Sequence, residues 1–276
     1  MSDASSTRSF RQHLLSVLTQ SSHLSAPFIT TFLLIHLSAP VVANVGGSSL
    51  SSQVMLLGRE YYQTNIGEPY LVLGPLAVHA LSGIARRALI TYAKVKSLPA
   101  PAQTEGNTSK PLTIFQRIYR ALPSTTLSLT AYTALLILPI HFSLHRVLPM
   151  NPNPPVHSLG PSELDYSFVQ YGIQRWPVRT WAMYAVLVGA AITHAIEGTR
   201  VLIGRPETAT VTTKPASSSV TPARTSRDRR RLLAAVLTLP VLSGLYMLYR
   251  EPLHLFADFG QRLEGIYKLS WIYSTQ

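Results

Sequence analysis

Residues 27–45 read PFITTFLLIHLSAPVVANV, and no Asp, Glu, Lys or Arg occurs between Arg11 and Arg59. At a rise of about 1.5 Å per residue, a helix of this length nearly spans the ~30 Å hydrocarbon core of a bilayer. We therefore predict a transmembrane helix here. Pro40 should kink this helix without ending it, because neighbouring helices can satisfy the carbonyl that a proline leaves unbonded.

Further apolar segments follow along the chain, at residues 69–90, 121–145, 180–203 and 231–250. Charged residues make up only 13% of the 276 residues, against roughly 25% in soluble domains. The deficit is concentrated in these segments, as a bilayer requires. The sequence thus predicts five transmembrane helices, numbered here helix 1 to helix 5.

A short motif occurs twice, because residues 79–86 read HALSGIAR and residues 194–200 read HAIEGTR. Each copy follows a helix that carries its own histidine, His36 before the first copy and His141 before the second. This pattern indicates a duplicated two-helix unit related by a pseudo-twofold axis along the membrane normal. The predicted fold class is all-α: a polytopic membrane protein with a four-helix bundle from the duplicated unit plus a fifth transmembrane helix.

The predicted organisation consists of an N-terminal tail, two repeats, two basic loops, a fifth helix and a C-terminal tail. These are residues 1–25, 26–90 (first repeat), 91–120 (loop), 121–203 (second repeat), 204–231 (loop), 232–250 and 251–276. The loops are rich in Pro, Ser, Thr and Ala, which predicts disorder. With alternating helices, 17 Lys and Arg lie on one side and 7 on the other. The positive-inside rule then places the N-terminus and both loops in the cytosol and the C-terminus opposite.

Four histidines lie one per helix in helices 1 to 4: His36, His79, His141 and His194. An ionisable side chain in hydrocarbon is costly, and so it is a candidate functional residue. One interpretation is that they ligate b-type haem, so that iron would be held only through haem. The other is that they form interhelical hydrogen bonds, each contributing ~0.6 kcal/mol. His145, one turn after His141, is a fifth histidine closer to the membrane boundary.

Residues next to these histidines have roles in both interpretations. Gly83 and Gly198 follow a histidine by one turn and leave room for a porphyrin or for a neighbouring helix. Arg86 and Arg200 are candidate partners of haem propionates. Glu197 could orient His194 or form an ion pair with Arg200 at the membrane edge.

The remaining composition excludes several classes of protein. There is no cysteine, which excludes disulfides, thiolate catalysis and iron–sulfur clusters. No catalytic or nucleotide-binding motif is present in the sequence, and so we expect no enzymatic activity and no catalytic residues. The net charge of +12 comes from residues at the ends of apolar segments, which favours contact with membrane lipids over nucleic acid.

The segments GREYYQ at 58–63, YLVLGP at 70–75 and HALSG at 79–83, with the second copy at His194, resemble the fungal mitochondrial adapter protein family. That family consists of outer-membrane proteins with a duplicated transmembrane domain. Its helical core is in turn similar to the cytochrome b anchor subunits of succinate dehydrogenase and fumarate reductase. The resemblance covers roughly residues 25–250.

The resemblance implies a non-enzymatic role in mitochondrial lipid homeostasis, through recruitment of a bridge-like lipid-transfer protein at organelle contact sites. Recruitment in the family uses a cytosolic Pro-x-Pro peptide, and the matching peptide here is Pro99-Ala100-Pro101. In the family this peptide lies in a longer N-terminal tail, whereas here it lies in a loop. A haem b membrane cytochrome related to the same anchor subunits is the alternative, and a scramblase-like lipid-handling protein is a third reading.

Overall fold

A computed structural model describes residues 2–97, 113, 115–116, 119, 125–204 and 222–274. The regular secondary structure of these residues is helical, and none of them forms a strand. Segments that are long and apolar enough to cross a membrane are Ser9–Tyr62, Thr126–Met150, Pro177–Leu202 and Arg227–Arg250. The protein is therefore an all-α polytopic membrane protein, as predicted.

The chain forms two compact units, and the first comprises Met1–Thr31 and Glu68–Thr125. Helix α1 (Ser2–Tyr62) begins in this unit. Helix α2 (Gly74–Ser97) follows a π-helical segment at Gly67–Leu73. The predicted helix 2 is thus a helix, but it is not among the four spans in the described part of the chain. Its second half carries basic residues, which lower its hydropathy: Arg86, Arg87, Lys94 and Lys96.

The second unit comprises Phe32–Gly67 and Thr126–Gln276. It contains the rest of α1 and helices α3 (Thr126–Phe142), α4 (Tyr166–Arg175), α5 (Pro177–Leu202), α6 (Pro222–Arg250) and α7 (Ala257–Leu269). Within the unit, α3 packs on α5, and α5 packs on α6. Helices α3, α5 and α6 correspond to the predicted helices 3, 4 and 5. The last of them starts at Pro222, inside the predicted loop at 204–231.

Helix α1 is interrupted at Gly46 and Gly47, where the backbone is non-helical, and not at Pro40. Gly47 has φ +58°, a conformation that residues with a Cβ rarely adopt. The helix restarts at Ser48, whose backbone N–H and hydroxyl both donate to the carboxylate of Glu251 at 2.8 Å. Glu251 therefore caps the second part of α1 from a position 203 residues away.

Before the break, α1 crosses α6 at very short range. A Cβ added to Gly244 would collide with the carbonyl oxygen of Pro40, so only glycine permits this approach. Ala39 and Ala43 lie on the buried side of α1 near the crossing, each 1% exposed. The Asn44 side chain donates to the carbonyl of Pro240 at 2.8 Å, which is a polar contact between the two helices.

Residues 148–176 and 251–274 form a folded cap on one end of the second unit. Its core is aromatic, with Phe168 stacked on Tyr267 at 4.6 Å between ring centroids and Trp176 5.1 Å from Tyr267. The Tyr267 hydroxyl donates to the carbonyl of Phe168 at 3.0 Å, and burial raises the pKa of Tyr267 well above its ordinary value. Gln170 donates to the carbonyl of Glu251 at 2.7 Å, and so the cap also holds the residue that caps α1.

Candidate functional site

Three histidines of the second unit come together in what we term the imidazole cluster: His36, His141 and His145. The rings of His36 and His141 are 6.0 Å apart between centroids and lie edge to face, at 77°. His141 and His145 are 4.5 Å apart, at 39°. The structure therefore joins a histidine of the first predicted repeat to two of the second.

Local irregularity of the backbone positions the two later histidines. Pro139 lies inside α3 and leaves the carbonyl one turn before it without its helical donor. Directly after α3, residues Ser143–Val147 are π-helical, a conformation that is rare and often occurs at functional sites. His145 lies in this segment, and its Nε2 is 3.0 Å from the hydroxyl of Tyr184 on α5.

Aromatic side chains surround the cluster. Phe32 stacks on His36 at 5.1 Å, Tyr62 meets His36 edge to face at 6.0 Å, and Phe168 meets His145 at 5.2 Å. The described residues contain no group of three or more His, Asp or Glu placed to hold a metal ion.

Two nitrogen atoms of the cluster lack a partner. Nδ1 of His36 and Nδ1 of His141 are buried and have no hydrogen-bond partner in the structure. An unsatisfied buried polar atom costs about 1–3 kcal/mol, and such atoms in a folded protein call for an explanation in terms of water, ligand or function. The cluster is therefore the candidate functional site of the second unit.

The other two predicted histidines are each bonded to the backbone of an earlier helix in their own unit. Nδ1 of His79 is 3.1 Å from the carbonyl oxygen of Ser22, and Nδ1 of His194 is 3.2 Å from that of Leu127. Ser22 lies 14 residues before His36, and Leu127 lies 14 residues before His141. The same contact thus occurs at equivalent positions of both copies, which supports the duplication inferred from the sequence.

The structure also shows what surrounds the glycine and arginine residues of the repeat motif. A Cβ added to Gly83 or Gly198 would meet no described atom within 4 Å, and so each glycine faces open space on the same side of its helix as the histidine one turn before it. Arg86 donates from Nε to the hydroxyl of Thr19 at 3.1 Å. Arg200 lies half-buried in the last turn of α5.

Glu197 forms an ion pair with Arg230 on α6, at 2.9 Å between Oε1 and Nε. Both side chains are largely buried, at 16% and 18% exposure. The sequence had offered His194 or Arg200 as partners of Glu197, because Arg230 is distant along the chain and lies in the segment predicted as a loop. The ion pair joins the end of α5 to the start of α6.

The two pairs of histidines differ in how well their geometry suits haem ligation. Two axial imidazoles must oppose each other across the macrocycle, whereas the rings of His36 and His141 contact each other edge to face. This pair as placed does not enclose a porphyrin. For His79 and His194, an Nδ1–H bonded to a carbonyl leaves the lone pair on Nε2, the orientation that ligating histidines have. Haem ligation by any of the four stays a prediction.

Two features of the site were not assigned from the sequence. The sequence places His145 four residues after His141 and thus on the same helical face, but it predicts no role for His145. Tyr184 and its bond to His145 carried no signal in the sequence. Pro99 and Pro101, the predicted docking residues, lie outside the described residues.

The fold and the site define a polytopic α-helical membrane protein in which each helix of a duplicated two-helix unit carries a histidine. Residues 136–248 match the family model described as MDM10-complementing protein 1, transmembrane domain. The match supports a mitochondrial membrane protein and agrees with the resemblance seen in the sequence. It begins within α3 and ends within α6, and so it covers most of the second repeat and the fifth predicted helix. No curated protein and no solved structure matches the chain.

Proposed function

We propose that the protein is a non-enzymatic adapter of the mitochondrial outer membrane that recruits a bridge-like lipid-transfer protein and thereby acts in lipid homeostasis. The observation that carries this proposal is the match of residues 136–248 to the transmembrane domain of MDM10-complementing protein 1. The resemblance at residues 58–83 extends the support to the first repeat. The helical membrane domain provides the anchor that an adapter requires.

The distribution of charge supports the proposed orientation. The side with 17 basic residues faces the cytosol, together with the loop that contains Pro99-Ala100-Pro101. A Pro-x-Pro peptide is already extended, and so it loses little conformational entropy on docking. Pro152-Asn153-Pro154 in the cap lies on the opposite side in this topology and is out of reach of a cytosolic partner.

Replacement of both Pro99 and Pro101 by alanine tests the docking peptide. In cells that lack the endogenous protein, a fluorescent bridge-like lipid-transfer protein should accumulate at mitochondria with the wild-type chain and not with the double variant. Fluorescence at mitochondria, normalised to the amount of variant in the carbonate-resistant membrane fraction, is the measurement.

The second Pro-x-Pro provides the matched control. The Pro152→Ala/Pro154→Ala variant should recruit the partner normally, since it changes the same tripeptide pattern in the cap. Unchanged recruitment by the Pro99→Ala/Pro101→Ala variant would show that the partner docks elsewhere. Absence of recruitment by the wild-type chain would refute the adapter function.

Protease accessibility tests the outer membrane and the orientation together. Added to intact mitochondria, a protease should cleave within residues 206–227, which follow α5, and should spare a tag at the C-terminus. Rupture of the outer membrane should then expose the tag. Protection of residues 206–227 in intact mitochondria would mean the opposite orientation or the inner membrane.

A second candidate function is that of a haem b membrane cytochrome, and the carbonyl-bonded His79 and His194 favour it. Purified protein supplied with haem should then show a Soret band and split α-bands. The His79→Ala/His194→Ala variant should lose them, and a variant of the exposed cap residue His254→Ala should keep them. A featureless spectrum, or one that the double variant leaves unchanged, would eliminate this candidate.

A further inference from the structure

A cleft opens on the surface of the second unit at the N-terminus of α5. It is lined by Arg175, Trp176, Pro177, Val178 and Arg179. Its volume is about 180 Å³, whereas a single water needs only about 10–15 Å³. The cleft is therefore large enough for a polar group of many atoms. The imidazole cluster contributes no residue to it.

Two guanidinium groups flank the cleft. Arg179 is held in place, since its Nη1 donates to the carbonyl of Ile272 at 2.9 Å. Arg175 is 4.0 Å from Glu264, with its side chain 49% exposed. Glu264 has a closer partner in Lys268, at 2.8 Å. Arg175 also interacts with the side chain of Tyr171, but a guanidinium has five N–H donors, and its exposed side keeps donors for an anion in the cleft.

Further donors face the same region. Helix α5 has 26 residues and no side chain that caps its N-terminus, and the positive end of a helix favours anions. The Trp176 ring lines the cleft, is only 5% exposed, and its Nε1 is buried without a hydrogen-bond partner. The Arg175 guanidinium lies over this ring, 5.6 Å from the centroid. The indole N–H is therefore a spare donor on a residue that lines the cleft.

The depth of the cleft in the membrane follows from its position in the chain. The membrane-spanning segment Pro177–Leu202 starts at the cleft, and so the cleft lies at the level of the lipid headgroups. Val178, the second residue of this segment, is 81% exposed and lies where the headgroups meet the acyl chains. Trp271, beside the residue that holds Arg179, is 74% exposed, as is common for tryptophan at a membrane interface.

From this arrangement we propose that the cleft at the N-terminus of α5 binds the headgroup phosphate of an anionic phospholipid. The phosphate lies between Arg175 and Arg179 at the end of the helix, the indole N–H of Trp176 donates to it, and the acyl chains lie along Val178. Arginine suits this role because its planar fork binds two phosphate oxygens. The site requires no particular function of the rest of the protein.

Trp176 itself can report the binding. In a Trp181→Phe/Trp271→Phe background, Trp176 is the only remaining tryptophan of the three in the chain. We expect a saturable change of its emission when short-chain phosphatidic acid is added to the purified protein in detergent, and no such change with short-chain phosphatidylcholine. Arg175→Gln should weaken binding about tenfold or more, and Arg175→Lys should bind with intermediate affinity because it keeps the charge without the fork.

Arg250→Gln is the charge-matched control, because it removes one exposed cation at the end of α6 that does not line the cleft. Its affinity for phosphatidic acid should equal that of the Trp181→Phe/Trp271→Phe protein. Lack of a saturable change, equal responses to both lipids, or unchanged affinity of Arg175→Gln would overturn the proposal. Inorganic phosphate that competes as well as the lipid would show a site for free phosphate, and would also overturn it.

Discussion

The histidines of the two predicted repeats differ by position within the repeat. His79 and His194, on the second helix of each copy, are bonded to carbonyl groups at equivalent positions. His36 and His141, on the first helix of each copy, meet in one cluster and keep an Nδ1 without a partner. Duplication therefore explains the first pair as structural contacts, while the second pair needs another explanation.

This difference suggests that the two pairs of histidines have different roles, one in stability and the other in function. A histidine that bonds a neighbouring helix contributes about 0.6 kcal/mol on average in a membrane, and it holds a two-helix unit together. A histidine with an unsatisfied nitrogen lowers stability. Such a group is retained for function more readily than for folding, because natural proteins concentrate unfavourable arrangements at functional sites.

The largest expected effect comes from the crossing of α1 and α6, which lies near His36 along α1. Gly244→Ala would place a methyl group on the carbonyl of Pro40, four residues from His36 along α1. We expect a loss of about 1–3 kcal/mol or more, measured as a lower Tm in detergent. Gly189→Ala on α5 is the control, since nothing lies within 4 Å of its added Cβ; an equal loss there would mean that crowding at Gly244 is not the cause.

The next effect concerns the break in α1 that follows the crossing. Glu251→Ala removes the acceptor of both bonds from Ser48, and hydrogen bonds to charged groups contribute roughly 1.5–3 kcal/mol each. We expect a loss of about 2 kcal/mol, because water can replace part of the interaction. Thermal unfolding is the measurement, and Glu60→Ala, at an exposed position of α1, should leave the Tm unchanged. A stable Glu251→Ala variant would contradict the proposed cap.

A smaller effect is expected within the imidazole cluster. Tyr184→Phe deletes the hydroxyl that bonds Nε2 of His145, at an expected cost of about 0.5–1.5 kcal/mol. Tyr246→Phe, which removes a hydroxyl from a side chain 49% exposed on α6, should have no effect. If the two variants unfold at the same temperature, the contact between Tyr184 and His145 contributes nothing, and the cluster is less ordered than described.

The smallest effect lies in the cap and depends on pH. The hydrogen bond from Lys268, with help from nearby cations, lowers the pKa of Glu264. A carboxylate with a lowered pKa stabilises the folded state above its ordinary pKa, and this contribution is lost as the pH falls through the folded-state value. The Tm of the wild type should therefore fall more steeply below about pH 4.5 than that of Glu264→Gln. Parallel curves would show that the contact is too exposed to matter.

Much of the helical architecture could be predicted because uncharged segments of bilayer length are a strong local signal. The break at Gly46 and Gly47 could not, since Pro40 offered an equally local cause for a kink. The partner of Ser48 is Glu251, 203 residues on, and no pattern within the sequence links the two. The π-helical segment that carries His145 likewise depends on packing that periodicity does not encode.

The sequence predicts which histidines belong to candidate sites, but it does not predict which of them lie next to each other. A histidine on each of four helices is visible in one dimension, whereas the choice of neighbours depends on which helical faces meet. The sequence left the pairing of the histidines open. In the structure, His79 and His194 bond within their own two-helix unit, whereas His36 and His141 meet across the two predicted repeats. The sequence does not predict the cleft at Arg175 and Arg179, because in one dimension both residues are only charges that set the topology.

Four single replacements, measured side by side, test the contrast between the two pairs most directly. His79→Leu and His194→Leu should each lower the Tm of the purified protein, because each removes the bond between the imidazole and the carbonyl of Ser22 or Leu127. His36→Leu and His141→Leu should leave the Tm unchanged or raise it, because each removes an unsatisfied buried nitrogen. The opposite order, with His36 and His141 the more sensitive positions, would contradict the division into structural and functional histidines.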